Sequence, residues 1–272
     1  PEDLVVFWQQ VLARPFEAAY DRPATDSLYA NREIAGRIAD LRRGVIPPWA
    51  WSTTLAVDVQ GDRLEWAAFA HGPDRRMARL EAGIIPIPPV DPRAWSELAG
   101  INTREYQGAH LRPLPGDRIG IDTGGHHTQQ AYVFCAAHRA AGVLALKGKP
   151  NDREALPLTA GTRRKAKIGG RIVADVQLYL VGTHAVKKAV YFGLAQTLAG
   201  CETGEHLPGS LTLEPSATEL DFQQITAEVL MPKDPARGRR EETWETQKGV
   251  RNEQLDLAVY AWSMAWLILP DS

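Results

Sequence analysis

Two carboxylates stand where short apolar runs stop, and a third lies inside a helical pattern. Asp58 closes the apolar run of "TLAVDVQGDRLEW", Asp122 closes that of "DRIGIDTGGHHT", and Asp256 lies in the helical pattern "RNEQLDLAVYAW" near the end of the chain. A charge buried alone is costly, so each acid must face a partner, a cation or water. Hard divalent cations such as Mg2+ and Mn2+ take oxygen ligands, carboxylates among them, and leave positions for water and phosphate oxygens. Two such ions a few Å apart can activate a water and stabilise the leaving 3′-oxygen of an in-line phosphodiester displacement. That chemistry needs acids and no serine or cysteine nucleophile. The chain has no G-x-S-x-G elbow and no Walker A loop.

Each acid also has a plain structural reading. Asp58 could be a turn acid before the bend at Gly61, and Asp122 or Thr123 the N-cap of a following helix. Gly124 and Gly125 favour a site, because they let backbone approach a phosphate or metal closely, but a glycine pair is a weak signal. At 100° per residue, Asn252, Asp256, Tyr260 and Glu253 fall at about 0°, 40°, 80° and 100° around their helix. Leu255, Val259, Trp262 and Trp266 form a stripe on the other side, and an ordinary amphipathic helix would turn its polar side to water. With Trp and Tyr on most turns little free surface remains, which favours a site. Asp58, Asp122 and Asp256 are therefore assigned as catalytic residues and ligands of one or two Mg2+ or Mn2+ ions, with Asn252 and Glu253 in support.

His126 and His127 are adjacent, cannot share one helical face, and belong to no HExxH pattern. They do not read as a zinc site; one of them could contact phosphate or move a proton, the alternative being a polar first helical turn. Cys135 and Cys201 form no CxxC, which excludes a disulfide scaffold and a cysteine-type zinc site and reads as two reduced thiols.

The 272 residues, 44% apolar, can bury a full core, and the formal charge of −2 excludes a globally basic nucleic-acid coat. DNA contact must then be local. Residues 147–171, "KGKPNDREALPLTAGTRRKAKIGGR", carry eight Lys and Arg against two acids. Lys147, Lys149, Arg163, Arg164, Lys165, Lys167 and Arg171 are read as phosphate contacts, the alternative being a solvated loop that aids solubility. No signal peptide is visible, and no apolar run approaches the ~20 residues that span a bilayer. The chain begins at Pro1, as a piece of a longer protein would.

Residues 1–50 read as a helical linker: "EDLVVFWQQVLARPFEAA" and "TDSLYANREIAGRIADLRRG" as helices, then an extended "VIPPWAWS". Residues 51–272 read as the main domain. "STTLAVDVQ" and "RLEWAAFAHG" form a hairpin about Gly61-Asp62, with a third strand near "ARLEAGIIPI". "DPRAWSELAG" is a helix, "DRIGID" a strand, "HHTQQAYVFCAAHRAAG" a helix and "VLALKG" a strand. An irregular basic stretch precedes a strand at "ADVQLYLVG" and a helix at "AVKKAVYFGLAQTLAG", with further helices near 217–229 and 251–267. Strands then helices on a mixed sheet indicate an α/β fold.

"AVDVQGDRLE", "IGIDTGGHHTQQAYVFC", "ALKGK", "LYLVGTHAVKKAVYFGL" and "RNEQLDLAVYA" occur in the order and spacing of the lambda-type large terminase subunits of tailed phages and prophages. The resemblance spans roughly residues 50–268. It implies an RNase H-like, resolvase-like fold with a mixed central sheet flanked by helices, and an endonuclease that cuts concatemeric viral double-stranded DNA during packaging in the host cytoplasm. It further implies an ATPase motor domain on the same polypeptide, a small terminase subunit and a portal as partners, with no membrane. Asp58 matches the family's first-strand ligand, Asp122 the second-strand acid and Asp256 the helix acid. Where relatives often carry Asp in a "GxDxxK" turn, this chain has His184. The alternatives are a junction resolvase or transposase-type nuclease of the same fold, and a catalytically silent docking module.

Overall fold

Which way Asp58 points is decided by side-chain alternation along its strand. The computed structural model describes residues 22–102, 107–108, 118–149, 156–232 and 242–268. The first front-end helix, expected over residues 2–19, lies outside them. In chain order the elements are α1 (Thr25–Ile38), β1 (Val45–Ile46), β2 (Ser52–Val59), β3 (Leu64–His71), β4 (Met77–Ile85), α2 (Pro92–Asn102), β5 (Gln107–Gly108), β6 (Arg118–Asp122), α3 (Thr128–Ala137) and β7 (Val143–Gly148). There follow β8 (Leu158–Ile168), β9 (Arg171–Val181), α4 (Thr183–Thr203), β10 (Leu211–Leu213), α5 (Glu219–Ile225), β11 (Glu228–Pro232), β12 (Glu242–Thr246) and α6 (Glu253–Ile268).

Eight strands form one sheet in the order β10-β4-β3-β2-β6-β7-β9-β8, in which β3 and β8 run against the rest. Its centre, an antiparallel meander β2-β3-β4 continued on the β2 side by parallel β6 and β7, is the RNase H-like arrangement. β1 pairs with β5, and β11 with β12, in two small ladders.

The two faces of the sheet bury different residues. Leu55, Val57 and Val59 of β2, with Ile119 and Ile121 of β6, pack against Leu98 of α2 and Phe134 of α3. Ala56 of β2 belongs to the opposite layer, with Val190 of α4, Phe222 of α5 and Leu257 and Met264 of α6. Successive strand side chains alternate faces, so Asp58 and Asp122 fall on the α6 side. A Cβ on Gly120 would meet Met264 Sδ at 2.8 Å and Leu146 Cδ1 at 2.4 Å. Only glycine lets α6 lie this close to β6, two residues before Asp122. α1, inside the segment expected to be a linker, buries Leu28 in the same layer.

One expectation is corrected. The basic stretch expected to be irregular is β8 and the start of β9, an antiparallel hairpin turning at Gly169-Gly170. Both glycines have positive φ, 56° and 80°, the backbone that matches the twist of a two-residue hairpin turn. Two register shifts, between Ala160 and Arg163 and between Ala166 and Lys167, put extra residues into the ladder. Such bulges bend a strand, and Ala166 is thereby buried in the layer that holds Ala131 and Phe134 of α3. No helix among the described residues is long and apolar enough to cross a membrane.

Candidate active site

The carboxylates converge where β2 and β6 end against the first turns of α6. Asp58 is only 5% exposed, while Asp122 and Asp256 keep partial openings to solvent. Burial pushes the Asp58 carboxyl up from 3.8 to about 8, and the charges of Asp122, Asp256 and Glu253 add to the rise. Burial likewise raises Asp256 to about 7, opposed by Lys187 and reinforced by Glu228, Asp122 and Glu253. Asp122 is also raised by burial; the Gly124 amide, the Tyr260 hydroxyl, the Thr123 amide and Lys147 restrain it. Five acids thus act on one another across a small space, beyond what an ordinary solvated helix face would give.

Local bonds hold each acid in place. Gln60 Nε2 donates to Asp58 Oδ2 at 2.6 Å, and the Gly124 amide to Asp122 Oδ1 at 2.9 Å. Asp122 is therefore not the cap of α3, which begins six residues later. Asn252 Nδ2 bridges Asp256 Oδ2 at 3.2 Å and Glu228 Oε1 at 2.9 Å, while the Asn252 carbonyl accepts from the Leu255 and Asp256 amides in the first turn of α6. Glu253 is buried; its Oε1 accepts from Arg251 Nε at 2.7 Å and Arg63 Nη2 at 3.4 Å, but its Oε2 has no hydrogen-bond partner.

The donors here are carboxylate oxygens, the ligands a hard cation prefers. An orphaned buried oxygen on Glu253 and carboxyls pushed up to about 7 and 8 both mark a shortage of positive charge. Among the described residues, no three His, Cys, Asp or Glu side chains are already drawn into a ligand shell. Their oxygens rest on Gln60, Gly124 and Asn252 instead. The residue types and the charge deficit fit a divalent ion.

The family model of the terminase large subunit gpA endonuclease domain matches residues 1–270. The chain belongs to this family. No protein of curated function matches it in sequence. Among solved structures, the yeast mitochondrial Holliday junction resolvase is similar over 90% of this chain and 91% of its own, at 12% identity and a TM-score of 0.35.

Several residues of this terminase nuclease domain escaped sequence reasoning. Glu65, 2% exposed, lies directly across the β2–β3 ladder from Asp58. Like charges at such a pair destabilise a sheet; here Arg63 Nε, at 2.7 Å, and Arg251 Nη2 both bind Glu65 Oε1. The hairpin turn at Gly61-Asp62 already implied that pairing. Glu228, from β11, is held at both oxygens by Lys187 Nζ, at 2.7 and 2.6 Å. Lys187 is the lysine of the "GxDxxK" pattern, so the signal was present and unread. Nothing local to Glu228 betrays it, because a long-range approach brings it to Asp256.

The remaining candidates divide. His127 precedes α3 in a left-handed conformation (φ 56°), not in its first turn, and its Nε2 lies 3.0 Å from the Gly61 carbonyl, tying the Asp122 loop to the β2–β3 turn. His126 is exposed beside it. His184 is buried at the start of α4, with Nε2 3.9 Å from Glu242 Oε2 and its ring against Trp244. Lys147 and Lys149 are exposed just past Leu146, the register partner of Asp122. Arg163, Arg164, Lys165, Lys167 and Arg171 all lie exposed on the hairpin, Arg163 paired with Asp175 at 3.1 Å.

Proposed function

We propose that this domain is a divalent-metal-dependent endonuclease that hydrolyses phosphodiesters of double-stranded DNA, using Mg2+ or Mn2+ held by Asp58, Asp122 and Asp256, during genome packaging. The observation that carries the reading is the shared burial and mutual repulsion of these three acids at the ends of β2, β6 and the start of α6. A bound divalent ion would supply Lewis acidity, lowering the pKa of an attacking water and stabilising charge on the leaving oxygen.

The chain's own residues do the positioning. Tyr260 and the Gly124 amide hold Asp122; Gln60 holds Asp58; Asn252 holds Asp256. Lys187 neutralises Glu228 beside Asp256, so the pit stays acidic without excess repulsion. Lys147 and Lys149 meet phosphates next to the site, and the hairpin cations follow the backbone farther along. Such contacts place the duplex without reading sequence. The ATPase motor domain, small terminase subunit and portal are the partners the family implies, with residues 1–50 leading from the motor and α1 seated on the nuclease body. The test is nicking of supercoiled plasmid: conversion to open circle with Mg2+ or Mn2+ and none with chelator supports the reading. Equal nicking in chelator would end it.

A further inference from the structure

The tip of the β8–β9 hairpin combines two features that rarely belong together at a surface. Ile168, Ile172 and Val173 are 55%, 56% and 51% exposed, on a turn whose neighbours are cations. In the ladder each isoleucine faces a cation, Ile168 opposite Arg171 and Ile172 opposite Lys167. β8 is the outer strand of the sheet, and lysines on such a strand discourage edge-to-edge pairing. Edge protection accounts for Lys165 and Lys167. It leaves the isoleucines unexplained, since exposed β-branched residues worsen an edge.

The hairpin is also aimed. Its first bulge is braced by Gln177 Nε2, which donates to the Gly161 carbonyl at 2.7 Å and the Leu178 carbonyl at 2.9 Å. Beyond it the arm folds onto α3, and the Lys167 amide donates to Gln129 Oε1 at 2.7 Å. Gln129 is the second residue of α3, directly after the Asp122 loop with His126 and His127. The arm is thereby anchored at the N-terminal end of α3, which follows the Asp122 loop in the chain.

We infer that this tip is a wedge that enters the minor groove of duplex DNA, with Ile168 and Ile172 pressed between base pairs while Lys167 and Arg171 hold the flanking phosphates. Apolar side chains inserted at a base step unstack and kink the duplex, and cations alongside offset the approach of the strands. Duplex DNA fits better than a protein partner because the exposed apolar side chains are few, Ile168 on one face of the tip and Ile172 on the other, and each shares its face with a cation. The inference rests on duplex DNA being the substrate.

The test uses Asp58→Asn protein, which binds without cutting, and duplexes with 2-aminopurine at single steps. The expected result is a several-fold fluorescence rise at one or two steps near the cut position. Ile168→Ser with Ile172→Ser should abolish that rise and weaken binding by about 5- to 30-fold, with an unchanged salt slope. An equal rise from the serine variant, or salt-dependent binding with no rise from either protein, overturns the wedge but leaves the nuclease reading intact. Self-association of the DNA-free protein that the serine variant loses would make the tip a contact between copies and overturn it too. Absence of salt-dependent binding by either protein would sink the duplex-substrate reading itself.

Discussion

In the acid pit, charges of one sign are buried, crowded and fixed by neighbours; on the hairpin, charges of the other sign are exposed and, among the described residues, only Arg163 is paired with an acid, Asp175. Asp58 sits 5% exposed between Gln60 and an opposing Glu65, while Arg164, Lys165, Lys167 and Arg171 stand in solvent. The two regions obey different physics. Buried like charges shift pKa values and destabilise the fold until a cation arrives. Exposed cations cost little in stability and act over a Debye length on whatever approaches. Changes in the pit should therefore alter chemistry and stability together, whereas changes on the arm should alter binding alone.

The largest break in that contrast comes from Asp58→Asn or Asp256→Asn. Either should abolish plasmid cleavage. Both should also raise the melting temperature in chelator, because the carboxyls at about 8 and about 7 in the fold ionise near 3.8 when unfolded. The folded protein holds more protons than the unfolded chain between those values, so its stability falls as pH rises from about 4 to about 8. Wild type and Asp58→Asn should thus melt alike near pH 4 and diverge by pH 8, the variant higher. A wild type that grows more stable in chelator over that range would remove the pit's strain from the account.

Next in size are the supports. Glu228→Gln or Lys187→Met should lower the cleavage rate by ~10–100-fold, as residues that orient metal ligands do, with binding at fixed salt unchanged. Glu253→Gln should fall in the same range and retain activity; a dead Glu253→Gln beside an active Asp256→Asn would exchange their roles. The smallest effect on chemistry belongs to the arm. Arg163, Arg164, Lys165 and Lys167 changed together to Ala should reduce the salt slope of DNA binding by up to ~3–4, at ~0.9 per phosphate neutralised. Divalent-ion binding should not move.

The same two regions differ in how much the sequence disclosed. Asp58 and Asp122 were legible because each ends an apolar strand, and alternation then sends both to the α6 side. Helical angles placed Asp256, Asn252 and Glu253 on one side of α6, but the apolar stripe opposite them suggested a solvated face. In the fold, Glu253 and Tyr260 are buried with that stripe, because α6 packs against β2, β3 and β6 and the Arg63 and Arg251 side chains lie on Glu253. Such cover is tertiary and invisible to periodicity. On the arm, polar edge strands show little burial alternation, so β8 looked irregular; Gly169-Gly170 between β-prone runs was the overlooked sign. The three-residue β10 and the β11–β12 ladder were hidden by shortness and long-range pairing.

The most direct test of the pit is a titration with Mn2+ followed by the electron paramagnetic resonance of the free ion, on wild type and on Asp58→Asn, Asp122→Asn and Asp256→Asn singly. The account predicts stoichiometric capture by the wild type and a marked loss of affinity in each variant, with circular dichroism unchanged. Wild-type affinity in any one of the three variants would contradict a site shared by these acids.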